Sequence, residues 1–197
     1  PEMLIGKDLS DTSGWGVWNK DLTNGGYRLT LSTTDAQSDD TALFGGSSRT
    51  VPTSSVFTLG SGGGLNGANA NIIYAFSSVK GYSKIGSYTG NGNLDGPFCF
   101  TGFKPAFVLG KRTDSAGGWW LSDNKRSGGF NLNDEYLVAD SNNGEQDDGS
   151  FASDFLSNGW KARATNGNFN ADGGKYIYMA FAESPFVTST GVPATAR

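Results

Sequence analysis

Pro105–Leu121 reads PAFVLGKRTDSAGGWWL, and the chain has already carried the same pattern at Pro1–Val17, PEMLIGKDLSDTSGWGV. Pro105 stands against Pro1, Gly110 against Gly6, Lys111 against Lys7, Gly118 against Gly14 and Trp119 against Trp15, all at an offset of 104 without a gap. A second block, Lys175–Phe181 (KYIYMAF), matches Ala70–Phe76 (ANIIYAF) at an offset of 105, with Ile177 on Ile72, Ala180 on Ala75 and Phe181 on Phe76. Between them, Gln146-Asp147-Asp148 echoes Ser38-Asp39-Asp40. A period of about a hundred residues is too long for a solenoid or a propeller blade and has the size of a small domain. The chain therefore reads as two tandem copies of one unit.

Glycine supplies 30 of the 197 residues, about twice the usual share of about 7 percent. Much of it follows Asn or Asp, as in Asn24-Gly25, Asn91-Gly92, Asp148-Gly149 and Asp172-Gly173, pairs that favour the positive φ of a tight hairpin. Short aromatic and β-branched runs lie between these turns, and no stretch keeps a helical period. The expected fold is all-β: two tandem antiparallel β-sandwich, jelly-roll-like domains built from the internal repeat. The segment Gly81–Thr101 follows the close of one copy and precedes the next Pro-x-x-x-x-Gly-Lys, so it is assigned to the second. This places a first copy at 1–80 that lacks its opening strand, a complete second copy at 81–186, and an extended tail at 187–197. The chain is accordingly expected to be the C-terminal part of a longer protein.

The first strand of each copy is apolar on both faces, as an interior strand should be. In the next strand Trp15 and Val17 are matched by Trp119 and Leu121, whereas Gly16 and Trp18 meet Trp120 and Ser122. The conserved alternation assigns Trp15/Trp119 to the core and turns Trp18 and Trp120 outward. Third strands are expected at Tyr27–Ser32 and Tyr136–Ala139, and a further matched pair at Ser55–Leu59 and Gly159–Arg163. The run Gly60–Gly64 reads as a flexible hairpin tip.

The chemistry is restricted by what is missing. With no histidine in the sequence, a Ser-His-Asp triad, a Cys-His pair and His-ligated zinc are excluded. The 19 Asp and Glu lie mostly in turns, where turn formation and solubility explain them. The acidic cluster Glu145, Asp147, Asp148 lacks the ligand spacing of an EF-hand loop, so no metal and no cofactor is expected, and the protein is read as not an enzyme. A net charge of −4 without a basic aromatic patch argues against nucleic acid, and no apolar run approaches the roughly 18 residues that span a bilayer. Cys99, the single cysteine, lies between Phe98 and Phe100 and reads as a small buried hydrophobe.

GYSKIGSYTGNG, GPFCFTGFKPAFVLGKRTDSAGGWW, FLSNGWKARATN and GGKYIYMAFAESPF together resemble a repeated domain of unknown function found in tail-fibre-like virion structural proteins of tailed phages, marine phages and cyanophages among them. The likeness covers Gly81–Phe186 almost end to end and the first copy more loosely. It implies a virion protein at the surface of an extracellular particle, with no catalytic motif to transfer. The leading functional expectation is a tail-fibre or adhesin module that binds host surface polysaccharide; the alternative is an architectural component such as a capsid decoration, head fibre or filament subunit. A homo-oligomer that also contacts other virion proteins is expected on either reading. For a glycan site, strand alternation nominates Trp120 with Asp123 and Asn124, and Trp18 with Asn19, as an outward ring beside polar turn residues.

Overall fold

The first strand of each repeat is hydrogen-bonded to a neighbour on both sides, as its apolar stretches 3–5 and 106–109 suit an interior strand. The computed structural model describes residues 1–62 and 64–183, and the expected tail at 187–197 lies outside them. The described chain is nearly all β and clusters into two units, Pro1–Ser77 and Ser78 onward. The first unit holds β1 (Met3–Asp8), β2 (Gly16–Asn19), β3 (Tyr27–Thr30), β4 (Ser38–Asp39) and β5 (Asn71–Phe76), hydrogen-bonded in the order β4-β3-β2-β1-β5. The second holds β6 (Ser83–Thr89), β7 (Phe98–Phe100), β8 (Pro105–Arg112), β9 (Trp120–Asp123), β10 (Leu137–Val138), β11 (Ser153–Leu156), β12 (Gly159–Ala162), a single helical turn α1 (Gly167–Asn170) and β13 (Lys175–Ala182). These form a five-stranded sheet, β10-β9-β8-β13-β6, and a three-stranded sheet, β11-β12-β7, all antiparallel.

The repeated sequence blocks coincide at the level of strand register. Leu4 faces Trp18 and Ala75, as Val108 faces Ser122 and Ala180. Lys7 faces Ile72, as Lys111 faces Ile177. Further along, Val17 faces Leu29 as Leu121 faces Leu137, and Arg28 faces Ser38 as Tyr136 bridges Gln146. Thus β3 and β10 correspond at an offset of 108, four more than β2 and β9. The second unit alone has β6, which pairs with β13 through seven residues from Lys175–Thr89 to Phe181–Ser83.

Two sequence expectations fail here. The segment Ser55–Leu59 is not a strand; only Leu59 bridges Phe44, whereas its counterpart is β12. Gly45 and Gly46 adopt φ of 70° and 59°, which takes the chain out of the extended region just where β11 begins in the other unit. The depth of the tryptophans is also different. Trp120 is 1% exposed and Trp18 2%, while Trp15 is only partly buried and stacks on Tyr74 at 6.3 Å. Alternation sorts residues onto two faces without saying which is covered. Here both faces of β1 are buried, Met3 and Ile5 on one and Leu4 on the other.

In the second unit the face bearing Val108, Trp120, Tyr176, Tyr178 and Ala180 meets Cys99, Phe155 and Trp160 of the three-stranded sheet in one ring-rich cluster. Trp120 packs edge-on to Phe169 at 4.9 Å and to Trp160 at 5.5 Å. Gly110 makes this possible: it sits opposite Trp120 in the ladder, and a Cβ there would fall within the indole ring. The smaller cluster of the first unit is Leu4, Trp18, Phe44 and Leu65. Leu65 takes up the space over Gly6, where a Cβ would stand 2.6 Å from its Cδ1.

Candidate functional site

The sequence-nominated residues do not make a site. Trp120 and Trp18 are interior, and Asn19 is fully buried, its Oδ1 accepting from the Asp21 amide at 2.9 Å. The Trp18 indole N–H is turned inward to the Asn24 carbonyl at 3.3 Å. Asp123 closes its own turn, accepting from the Lys125 amide at 2.9 Å and from Arg126 Nε at 2.6 Å, and Asn124 donates to Glu183 at 3.0 Å. Asp123, Asn124 and the Trp18 indole are engaged in this way, and Asn19 Nδ2 and the Trp120 indole N–H, which have no partner, are buried away from a ligand. The rings that do face solvent include Phe98, Phe100 (62% exposed) and Phe130. The first two follow from the sequence once Cys99 is taken as buried, because its neighbours in a strand point the other way.

A concave site lies in the first unit instead, a cleft of about 330 Å³. Its floor is built from Gly6 on β1, Gly16 on β2 and Gly62 and Gly64 of the glycine run, with Leu43 and Leu65 as the apolar lining. Asp8, Arg28, Thr30 and Asp40 supply the polar walls. The cleft exists because of what the first copy lacks. By register Gly16 occupies the place of Trp120 and Arg28 that of Tyr136. In the second unit those two rings fill the corresponding space, Tyr136 lying 4.6 Å and Trp120 6.2 Å from Phe151.

The aspartate is kept while its partner changes. Asp148 accepts from the Tyr136 hydroxyl at 3.0 Å, and its counterpart Asp40 accepts from Arg28 Nε at 2.6 Å. Hydrogen bonds from Ser150, reinforced by Tyr136, hold the Asp148 carboxyl below the usual range, and burial pushes the Tyr136 hydroxyl up. Asp40 also accepts from the Ala42 amide at 3.1 Å, while Arg28 Nη1 donates to Thr30 Oγ1 at 2.6 Å. The guanidinium Nη2 has no protein partner among the described residues, and the Arg28 and Asp40 side chains are 27% and 28% exposed. Asp8 is buried, accepting from Ser10 and from Asn69 at 2.8 and 2.9 Å.

Chemically, the cleft sets free guanidinium donors beside a carboxylate acceptor, above an apolar floor on which Leu43 and Leu65 lie over the glycines. That combination suits adjacent hydroxyls of a small polar ring, whose apolar face would rest on the two leucines. Among the described residues no group of three or more Cys, Asp or Glu could hold a metal ion.

The strand ladders and this cleft define a nearly all-β chain of two units, one with its interior filled by rings and one left open. The chain belongs to the family described as Domain of unknown function (DUF7483), whose model matches residues 1–185 and so runs through both units. No curated protein and no solved structure matches the chain.

Proposed function

We propose that this chain is a structural protein of a tailed-phage virion, built as two tandem jelly-roll-like β-sandwiches, whose first unit binds host surface glycan in the glycine-floored cleft. The observation that carries the binding reading is the exchange of Trp120 and Tyr136 for Gly16 and Arg28 within one strand frame. A cavity lined by a partly buried ion pair is unfavourable for folding compared with a ring-filled core, so its presence is better explained by a ligand than by stability. The resemblance of Gly81–Phe186 to tail-fibre-like virion repeats supplies the setting.

The test is titration of the chain with a panel of soluble bacterial surface oligosaccharides containing neutral hexoses, uronic acids and N-acetylhexosamines. Arg28→Ala and Asp40→Asn should each weaken binding at least tenfold, while Phe130→Ala, away from the cleft, leaves it unchanged. Equal binding by all three variants would remove the cleft from the account. The architectural alternative has its own supporting observation: the exposed pair Phe98 and Phe100 lies on β7, an edge strand, where apolar rings suit contact with another protein. On that reading the oligosaccharides do not bind and the Phe100→Asp variant fails to assemble.

A further inference from the structure

The two units differ most at one sheet edge. β5 is the last strand of its sheet, and among the described residues β1 is its only strand partner. The bond from the Leu9 amide to the Ala70 carbonyl, 2.8 Å, sets the phase of that ladder. It leaves Asn71, Ile73 and Ala75 with N–H and C=O directed away from β1. The equivalent bond in the second unit, Thr113 to Lys175, is also 2.8 Å. There the corresponding Tyr176, Tyr178 and Ala180 are opposite Tyr88, Gly86 and Lys84 of β6.

What β6 covers in one unit is bare in the other. Ala180 is 0% exposed, and Ala75, the same residue at the same register position, is exposed. Tyr74 is 47% exposed, against 6% for its counterpart Met179. Asn71 Oδ1 is buried with no hydrogen-bond partner. The strand reads NIIYAF, with none of the lysine, proline or bulge that guards a sheet edge left in solvent.

We infer that the open edge of β5 is a strand-acceptor site, taking an extended peptide segment with the chemistry of β6 in antiparallel register. Lysine or another long polar residue stands opposite Ala75, a glycine or similarly small residue opposite Ile73, and an aromatic opposite Asn71. The small residue copies Gly86, which in the second unit leaves room for the Tyr178 ring; Ile73 stands in the place of Tyr178 here. The aromatic copies Tyr88, which stacks on Tyr176 at 4.7 Å in the second unit; here it would lie over Asn71 instead of a ring. Because β6 is itself engaged by β13, the occupant comes from outside the described residues. Main-chain bonds give such strand addition its affinity, and the alternating side chains give it register. The inference is independent of the glycan cleft, since β5 supplies no residue to it.

The test uses the whole chain and a fluorescein-labelled peptide of sequence YSKIGSYTGN, residues 82–91. Anisotropy should show saturable 1:1 binding. N-methylation at the peptide's Lys84, Gly86 and Tyr88 positions, whose amides face the acceptor, should weaken it at least tenfold, whereas methylation at Ser83, Ile85 and Ser87 should not. Ala75→Lys should abolish binding with the melting temperature unchanged, and a photo-crosslinker at the Gly86 position should mark residues 71–76. No binding at millimolar peptide, equal loss under both methylation patterns, or cross-links on 175–182 through exchange of β6 would overturn the proposal. A stable dimer cross-linked from β5 to β5 would assign the edge to a second copy and overturn it equally.

Discussion

Replacing Trp120 by alanine should remove the centre of the second unit's core. Its ring is 1% exposed and contacts Phe151, Trp160 and Phe169 with centroids at 6.2, 5.5 and 4.9 Å. An aromatic side chain buries about 150–250 Å², which at about 25 cal/mol per Å² corresponds to about 4–6 kcal/mol. Against this, the indole N–H of Trp120 has no hydrogen-bond partner, and deleting a buried unsatisfied donor returns about 1–3 kcal/mol. The net loss centres on about 3 kcal/mol, at the lower end of the span of about 3–5 kcal/mol for large aromatic to alanine changes in cores. Urea unfolding followed by far-UV circular dichroism should show the second unit's midpoint fall by roughly 1–3 M for a slope of about 1–3 kcal/mol/M. Trp120→Phe, which keeps a ring and drops the orphan donor, should lose less than about 1.5 kcal/mol. A loss under about 1 kcal/mol for the alanine variant would refute the burial of this ring and restore it to the surface.

Gly110→Ala should destabilise the same unit by about 1–3 kcal/mol through overpacking against Trp120, read from the same unfolding curve; an unchanged midpoint would show that the ring has room to move. Asp148, whose carboxyl lies below its ordinary 3.8, contributes stability that is present above that value and is lost as pH falls through the lowered one. Acid titration should therefore cost the parent more than Asp148→Asn below pH 4, and parallel curves would sink the claim. Cys99 is buried, which pushes its thiol up, so Ellman's reagent at pH 8 should label no thiol in the folded chain and one in urea. Fast labelling of the folded chain would place Cys99 at the surface.

The strand frame was legible in the sequence because its register is written twice. Gly6 and Gly110, Lys7 and Lys111, Ala75 and Ala180 hold equivalent ladder positions in both units. The depth of the faces was not legible. A period of two groups Trp120 with Ser122 and separates it from Leu121, and it is silent on a strand covered from both sides. The departure of Gly16 from Trp120 was visible as well. Its meaning was not, because Arg28 had to be matched to Tyr136 across a loop four residues longer in the second copy. The sequence already sets Asp148 against Asp40, but without Arg28 placed on Tyr136 the pair reads as solvated turn residues instead of one aspartate with two different partners. The segment Ser55–Leu59 misled for a related reason, since its match to β12 says nothing of the positive φ at Gly45 and Gly46 that ends the pairing.

The glycan reading rests on the cleft, and its floor carries its own reporters, because glycine amides occupy a separate region of a nitrogen-proton correlation spectrum. Titrating the labelled chain with the oligosaccharide panel should shift Gly6, Gly16, Gly62 and Gly64 saturably for at least one sugar class, together with the Arg28 side chain, and leave Gly110 and Gly159 still. Shifts confined to residues around Phe98, Phe100 and Phe130, or none at millimolar sugar, would contradict it.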